Sequence, residues 1–172
     1  MANTMDPSRW RIETRRRVEA LVLFRSESGK VLLVKPSFRP DWLLPGGEAR
    51  AGEPIGYAAA CEVAEELGLQ VRITHALAVD RVAANPDMRH AESLNVVCDG
   101  GSMTEAEAGA LSLPVRASCV IEALAWVSLK DLPDYVEPFM EYRIRSAFAG
   151  AMVGIRLPLL YNGEPLSVEN AA

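Results

Sequence analysis

The chain has 172 residues, with 18 Lys and Arg against 23 Asp and Glu, for a formal net charge of −5. Hydrophobic residues make up 49% and charged residues 24%, the balance of an ordinary folded domain. The negative field argues against nucleic acid as a partner, and no apolar run approaches the ~20 residues of a membrane span. The length fits one domain over 1–172, with 1–14 and 167–172 expected as flexible ends.

Arg9, Arg11, Arg15, Arg16 and Arg17 form a basic segment before the first strand. It reads as a solvated arm, with a phosphate or partner contact as the alternative. Val18–Phe24 is apolar but is broken too soon by Arg25 and Glu27 to be a secretory segment, so a cytoplasmic location is the default expectation. Val18–Phe24 and Val31–Val34 read as a hairpin. Pro36, Pro40, Pro45, Gly46 and Gly47 then punctuate a loop carrying Trp42, Leu43 and Leu44. A helix is expected from Glu53-Pro54 to Leu67, with Pro54 at the first helical position and Gly68 as the stop.

Val71–Val82 reads as one or two strands and Ser93–Cys98 as another. Met103–Leu111 reads as a short acidic helix or loop insertion whose glutamates form a solvated face. Val120–Leu129 is a further strand, and Glu137–Ala149 an amphipathic helix packing through Phe139, Tyr142, Ile144 and Phe148. Arg156–Leu166 returns as a strand and turn. This mixed order predicts an α+β domain. Cys61, Cys98 and Cys119 lack metal-ligand spacing and read as reduced, mostly buried small hydrophobes, with a disulfide as the alternative.

The informative stretch runs from Gly46 to Leu69. Glu62, Glu65 and Glu66 stand at i, i+3 and i+4, within one arc of the helix. Ala59, Ala60, Val63, Ala64 and Leu67 gather on the adjoining arc and would face the core. Like charges at this spacing repel, and carboxylates in the last turn face the negative end of the helix dipole. A hard divalent cation reverses both penalties. Alone, three such glutamates read as a solubilising face. Gly46-Gly47, where a backbone carbonyl can approach a ligand, and Glu53 at the helix start bring further groups to the same spot.

This run resembles the Nudix box, G-x5-E-x7-R-E-U-x-E-E-x-G-U with U a bulky aliphatic, at Gly47, Glu53, Glu62, Val63, Glu65, Glu66, Gly68 and Leu69. The lead-in Trp42–Glu48 and the late stretch Ala125–Pro133 resemble the family too, so the likeness spans roughly Arg17 to Ala149. It implies an α/β/α sandwich with a mixed sheet and a magnesium- or manganese-dependent hydrolase. Its substrate would be a nucleoside diphosphate linked to another group, such as a nucleotide sugar, ADP-ribose or a dinucleotide, or a nucleoside triphosphate. By position, Glu62, Glu65, Glu66 and the carbonyl of Gly47 would ligate the metal, and Glu53 would brace the loop. Glu65 or Glu62 would be the general base, with Glu122, just before Trp126, as the candidate from a later segment. Homodimers are common in the family, and the chain itself gives no sign for or against one.

One box position departs: the arginine is Cys61. A cysteine cannot make the bidentate, charge-assisted bonds of a guanidinium, so Glu53 loses its expected partner unless Arg50 or another cation substitutes. The alternative function is therefore a Nudix-fold sensor that binds its nucleotide with little turnover. For substrate contacts the sequence offers Phe38, Trp42 and Tyr57 as stacking candidates, with Phe38 and Trp42 equally reasonable as core or loop packing. Arg39, Arg50, Arg81 and Arg89 are phosphate candidates, with exposed surface arginine as the default reading of each. Family members that cleave ADP-ribose often carry a proline near the place of Asn85-Pro86, so the resemblance implies ADP-ribose or a nucleotide sugar as one expected substrate, while His75 and His90 read as structural or exposed.

Overall fold

The computed structural model describes residues 16–84 and 91–165. The expected flexible ends, Arg9, Arg11 and Arg15 of the basic segment, and Asn85, Pro86, Arg89 and His90 lie outside those residues.

The sheet is built on β1 (Arg17–Ser26), whose residues from Ala20 to Phe24 are all buried. Side chains of a strand alternate between faces. Here Ala20, Val22 and Phe24 enter one core, and Leu21 and Leu23 the other. The same division recurs in β2 (Lys30–Pro36), with Leu32 and Val34 against Val31 and Leu33. It recurs again in β5 (Ser93–Met103), with Val96 and Cys98 against Val97. A sheet apolar on both faces needs a layer on each.

The first layer is α1 (Ile55–Leu67), which buries Ala58, Ala59, Val63 and Leu67. The second is α3 (Pro138–Met152), which buries Met140, Ile144 and Ala147. Between them the strands run in the order β6 (Ile121–Ser128), β2, β1, β5, β4 (His75–Val82) and β7 (Leu157–Pro158), with β3 (Gly46–Glu48) beside the start of β1. β1 and β5 are parallel and the other pairs antiparallel, so the sheet is mixed, as expected of an α/β/α sandwich.

Local chemistry accounts for the helix ends. Pro54 is the N-cap of α1, one position earlier than expected. Gly68 closes the helix in the left-handed conformation, φ 70°, and its N–H reaches the Ala64 carbonyl. Met103–Leu111 resolves into the end of β5 and a short α2 (Glu105–Ala110), with a capping box between Thr104 and Glu107. Trp126 Nε1 donates to Ala108 O at 3.1 Å and seats that insertion.

Several expectations need correction. In Val71–Val82 the strand starts only at His75. In α3, Phe139 and Tyr142 are 49% and 71% exposed, and the buried stripe carries Arg143 instead. Its guanidinium pairs with Asp80 on β4 at 2.7 Å and lies 5.5 Å over the Phe139 ring, which makes burial of the cation tolerable. All three cysteines are free, but Cys119 is exposed, Cys61 is half-buried and only Cys98 is buried. Burial first, then neighbouring Asp99, pushes the Cys98 thiol up to about 12.

The chain after α3 folds back over the sheet edge. Arg156 Nη1 binds Asp99 Oδ2 at 2.6 Å. Leu160–Tyr161 (β8) and Glu164–Pro165 (β9) form a small hairpin, from which Tyr161 Oη donates to Gly52 O at 3.3 Å. Among the described residues no helix is long and apolar enough to cross a membrane.

Candidate active site

The site begins with a close approach of backbones. β3 pairs with Glu19–Leu21 of β1, and at Gly46 the chain takes φ +130°. A Cβ there would lie 2.2 Å from Ala20 O, so only glycine fits. At Gly47 a Cβ would lie 2.7 Å from the Glu62 carboxyl carbon. The glycine pair thus lets the main chain press against β1 on one side and against the Glu62 carboxylate on the other. Gly46 N–H also donates to Glu66 Oε2 at 2.9 Å.

Glu62 and Glu66 are half-buried and Glu65 is exposed, as expected for acids at the margin of the buried stripe of α1. Burial raises Glu66 to about 7; the Gly46 N–H opposes that shift, and Glu62 and Glu65 add to it. Glu62 is raised chiefly by burial, then by Glu65 and Glu53, with Arg50 acting in the opposite sense. Glu53 accepts the Arg50 backbone N–H at 2.8 Å, which ties the loop into a turn with no guanidinium involved. Cys61 lies beside Tyr57, whose hydroxyl is raised by that contact first.

The three glutamates share a cavity of about 570 Å³ with Gly46. Val34, Phe38, Leu43, Leu44, Val120 and Ile121 supply apolar lining, and Arg116 and Cys119 complete it from the segment before β6. Ligand cavities are commonly of this size and mixture. Phe38 is 77% exposed at this cavity, whereas Trp42 packs edge-on against Tyr135 with ring centroids 5.5 Å apart. Among the described residues, no three His, Cys, Asp or Glu side chains are gathered closely enough to ligate one ion as they stand. The donor set nevertheless suits a hard cation, because two half-buried carboxylates are pushed toward neutrality and the Gly47 backbone abuts one of them.

Glu122 stands apart from this group. The pairing of β2 with β6 shifts between Lys35↔Ala123 and Pro36↔Ile121, leaving Glu122 as the extra residue of a bulge. It faces Lys35 Nζ at 3.6 Å and does not line the cavity. Among the arginine candidates, Arg39 pairs with Asp41 at 3.5 Å and Arg81 with Glu92 at 2.6 Å. His75 Nδ1 is engaged with Thr74 Oγ1 at 2.8 Å. Sequence reasoning singles out Phe38, Gly46 and the three glutamates among the cavity residues, but not Arg116, Ala117 and Cys119 nor apolar lining such as Val34 and Ile121; no periodic pattern marks the short 3-10 turn at Val115–Ala117 that carries Arg116.

The NUDIX domain family model matches residues 15–147. The chain is 30% identical over 132 residues to a putative 8-oxo-dGTP diphosphatase of Bacillus subtilis, covering 77% of this chain and 80% of that protein. It is 41% identical over 73 residues to diphosphoinositol polyphosphate phosphohydrolase 2 of Rattus norvegicus, covering 41% of this chain and 39% of that protein. Among solved structures it is similar to a MutT NUDIX hydrolase from Burkholderia pseudomallei, at 26% identity and TM-score 0.60, over 77% of this chain and 98% of the other.

Proposed function

Because this chain belongs to the NUDIX domain family and is a Nudix-type pyrophosphohydrolase, we propose that it cleaves the diphosphate linkage of a nucleotide in a magnesium- or manganese-dependent reaction. The observation that carries the proposal is the single cavity shared by Glu62, Glu65 and Glu66 on one helix and by an apolar wall with exposed Phe38. Such a cavity has room for a phosphate chain at the acids and a nucleoside against the wall. The substrate is a nucleoside triphosphate or a nucleoside diphosphate linked to another group, and the triphosphate has the support of the Bacillus subtilis relative's name.

Glu62, Glu65, Glu66 and the Gly47 carbonyl would hold the cation, which when bound supplies charge neutralisation at the diphosphate and acidity to a coordinated water. The remaining steps belong to the chain. Glu66, fixed by the Gly46 N–H, keeps its carboxylate oriented toward the glycine pair. Glu65, exposed in the cavity, takes a proton from the water that attacks phosphorus in line, while the bond to the departing phosphoryl oxygen breaks. Glu122, the candidate from the later segment, pairs with Lys35 and does not line this cavity.

The test is product release from triphosphates, nucleotide sugars, ADP-ribose and dinucleotides with magnesium or manganese, and again with chelator. Metal-dependent turnover of at least one substrate, abolished in Glu66→Gln while the fold is retained, is the expected result. Full activity in that variant would overturn the site assignment. Saturable binding without turnover would favour the non-hydrolysing sensor, with Cys61 in place of the box arginine as its cause.

A further inference from the structure

Arg116 is the one basic side chain that lines the cavity among the described residues, and it shares that cavity with three glutamates. It makes no ion pair with any described carboxylate. One of its N–H groups donates instead to the Ala64 carbonyl of α1 at 2.7 Å, one residue before Glu65. Its other N–H groups have no hydrogen-bond partner among the described residues. The Ala64 carbonyl already accepts the Gly68 N–H at 3.2 Å, so the helix end does not need the guanidinium to be satisfied.

The backbone that presents Arg116 is well seated. Ala117 is 2% exposed, its N–H returns to Pro114 O at 2.9 Å, and Pro114 packs against Gly68 at the end of α1. A fixed turn, a tether to the glutamate helix and a fork of free donors facing a cavity together describe a pre-organised anion contact. The negative end of the helix holds the cation there without neutralising it.

We propose that Arg116 binds the phosphate chain of the substrate, taking the oxygens that the glutamates would otherwise repel and setting the site's preference for an anionic diphosphate. This rests on the diphosphate-hydrolase reading of the same cavity. In that role Arg116 also supplies a cation to the site whose box arginine is Cys61, from a segment 55 residues further along the sequence.

The experiment uses the full chain and its Arg116→Ala, Arg116→Gln and Arg116→Lys variants. Magnesium pyrophosphate binding is measured by calorimetry, alongside kcat and KM on the substrate found active and the thermal midpoint of each variant. Loss of one charge-assisted contact predicts a roughly 10- to 100-fold weaker pyrophosphate affinity and a matching fall in kcat/KM for Arg116→Ala and Arg116→Gln, with partial recovery in Arg116→Lys. An Arg116 that only steadies the end of α1 would lower the thermal midpoint and leave pyrophosphate affinity unchanged, which overturns the proposal. Wild-type protein that hydrolyses substrate with Arg116→Ala equally active overturns it too, while leaving the hydrolase reading intact. Wild-type protein without turnover whose pyrophosphate binding is lost in Arg116→Ala sinks the hydrolase reading and keeps the Arg116 contact. Wild-type protein that binds no pyrophosphate overturns the contact directly.

Discussion

Glu66 accepts the backbone N–H of Gly46 at 2.9 Å, so the last glutamate of α1 and the first glycine of β3 hold each other at the cavity. The bond joins a helix to a strand that is itself pinned to β1, and it fixes a carboxylate that burial alone would neutralise.

A pH dependence follows for the metal-free protein. Burial raises Glu66 from its ordinary value of 4.5 to about 7, with Glu62 raised in the same direction. The folded state therefore binds a proton that the unfolded state has released across that window. The stability from this proton is present in full below about 4.5 and is lost as pH rises through about 7. In chelator, the unfolding free energy from urea titration should fall between pH 5 and pH 8, by at most on the order of 3 kcal/mol. Glu66→Gln should flatten most of that slope. The same slope in the variant would mean that another group sets it.

The two glycines should fail in different ways. Gly46→Ala forces a Cβ to within 2.2 Å of the Ala20 carbonyl, a backbone atom that cannot yield, at positive φ. It should lower stability by several kcal/mol, within the range of severe single substitutions. Gly47→Ala meets only the end of the Glu62 side chain, at 2.7–2.9 Å, which can swing aside. That variant should keep a near-native midpoint and lose metal-dependent turnover as Glu62 is displaced. Calorimetric melting and initial rates on both variants separate the two outcomes.

Cys61→Arg should preserve or raise activity. Position 61 is half-buried, beside Tyr57 and in the neighbourhood of Glu53. A guanidinium there gains a carboxylate partner where the present loop relies on one backbone N–H at 2.8 Å. Restored support of this kind is commonly worth about 10-fold or more in activity. A fall in kcat/KM with unchanged stability would show that the site has adapted to the cysteine.

Asp99→Asn should be one of the more destabilising changes away from the cavity. The carboxylate is 4% exposed, and it joins Arg25 at 3.1 Å to Arg156 at 2.6 Å while accepting the Gly101 N–H. Removing its charge leaves the Arg25 guanidinium, 12% exposed and with a buried Nε that already lacks a partner, without compensation. A loss of about 3–5 kcal/mol is expected by denaturant titration. Arg156→Ala removes the partner that is 55% exposed and should cost far less.

Much of the site was legible from spacing. Glycine, proline and the repeated glutamates set the ends of α1 and the arc of its acids, because helix geometry turns sequence separation directly into position. The alternating faces of β1, β2 and β5 were likewise implicit in runs of aliphatic residues. The illegible parts share a physical reason. Glu122 is turned away by one extra residue in the β2–β6 pairing, and a bulge leaves no mark in composition. Arg143 is buried because Asp80 on another element neutralises it, so the aromatic neighbours that looked like packing residues stay outside.

The sequence by itself determined the helix with its three glutamates, the glycine pair before it and the missing arginine at position 61, since all of these are local relations along one segment. Only the tertiary structure decided which distant groups meet them. Arg116, Phe38 and Ile121 enter the cavity because the strands bring separate loops to one end of α1. Glu122 is left outside because strand register, set by pairing between segments, fixes the direction in which each side chain points.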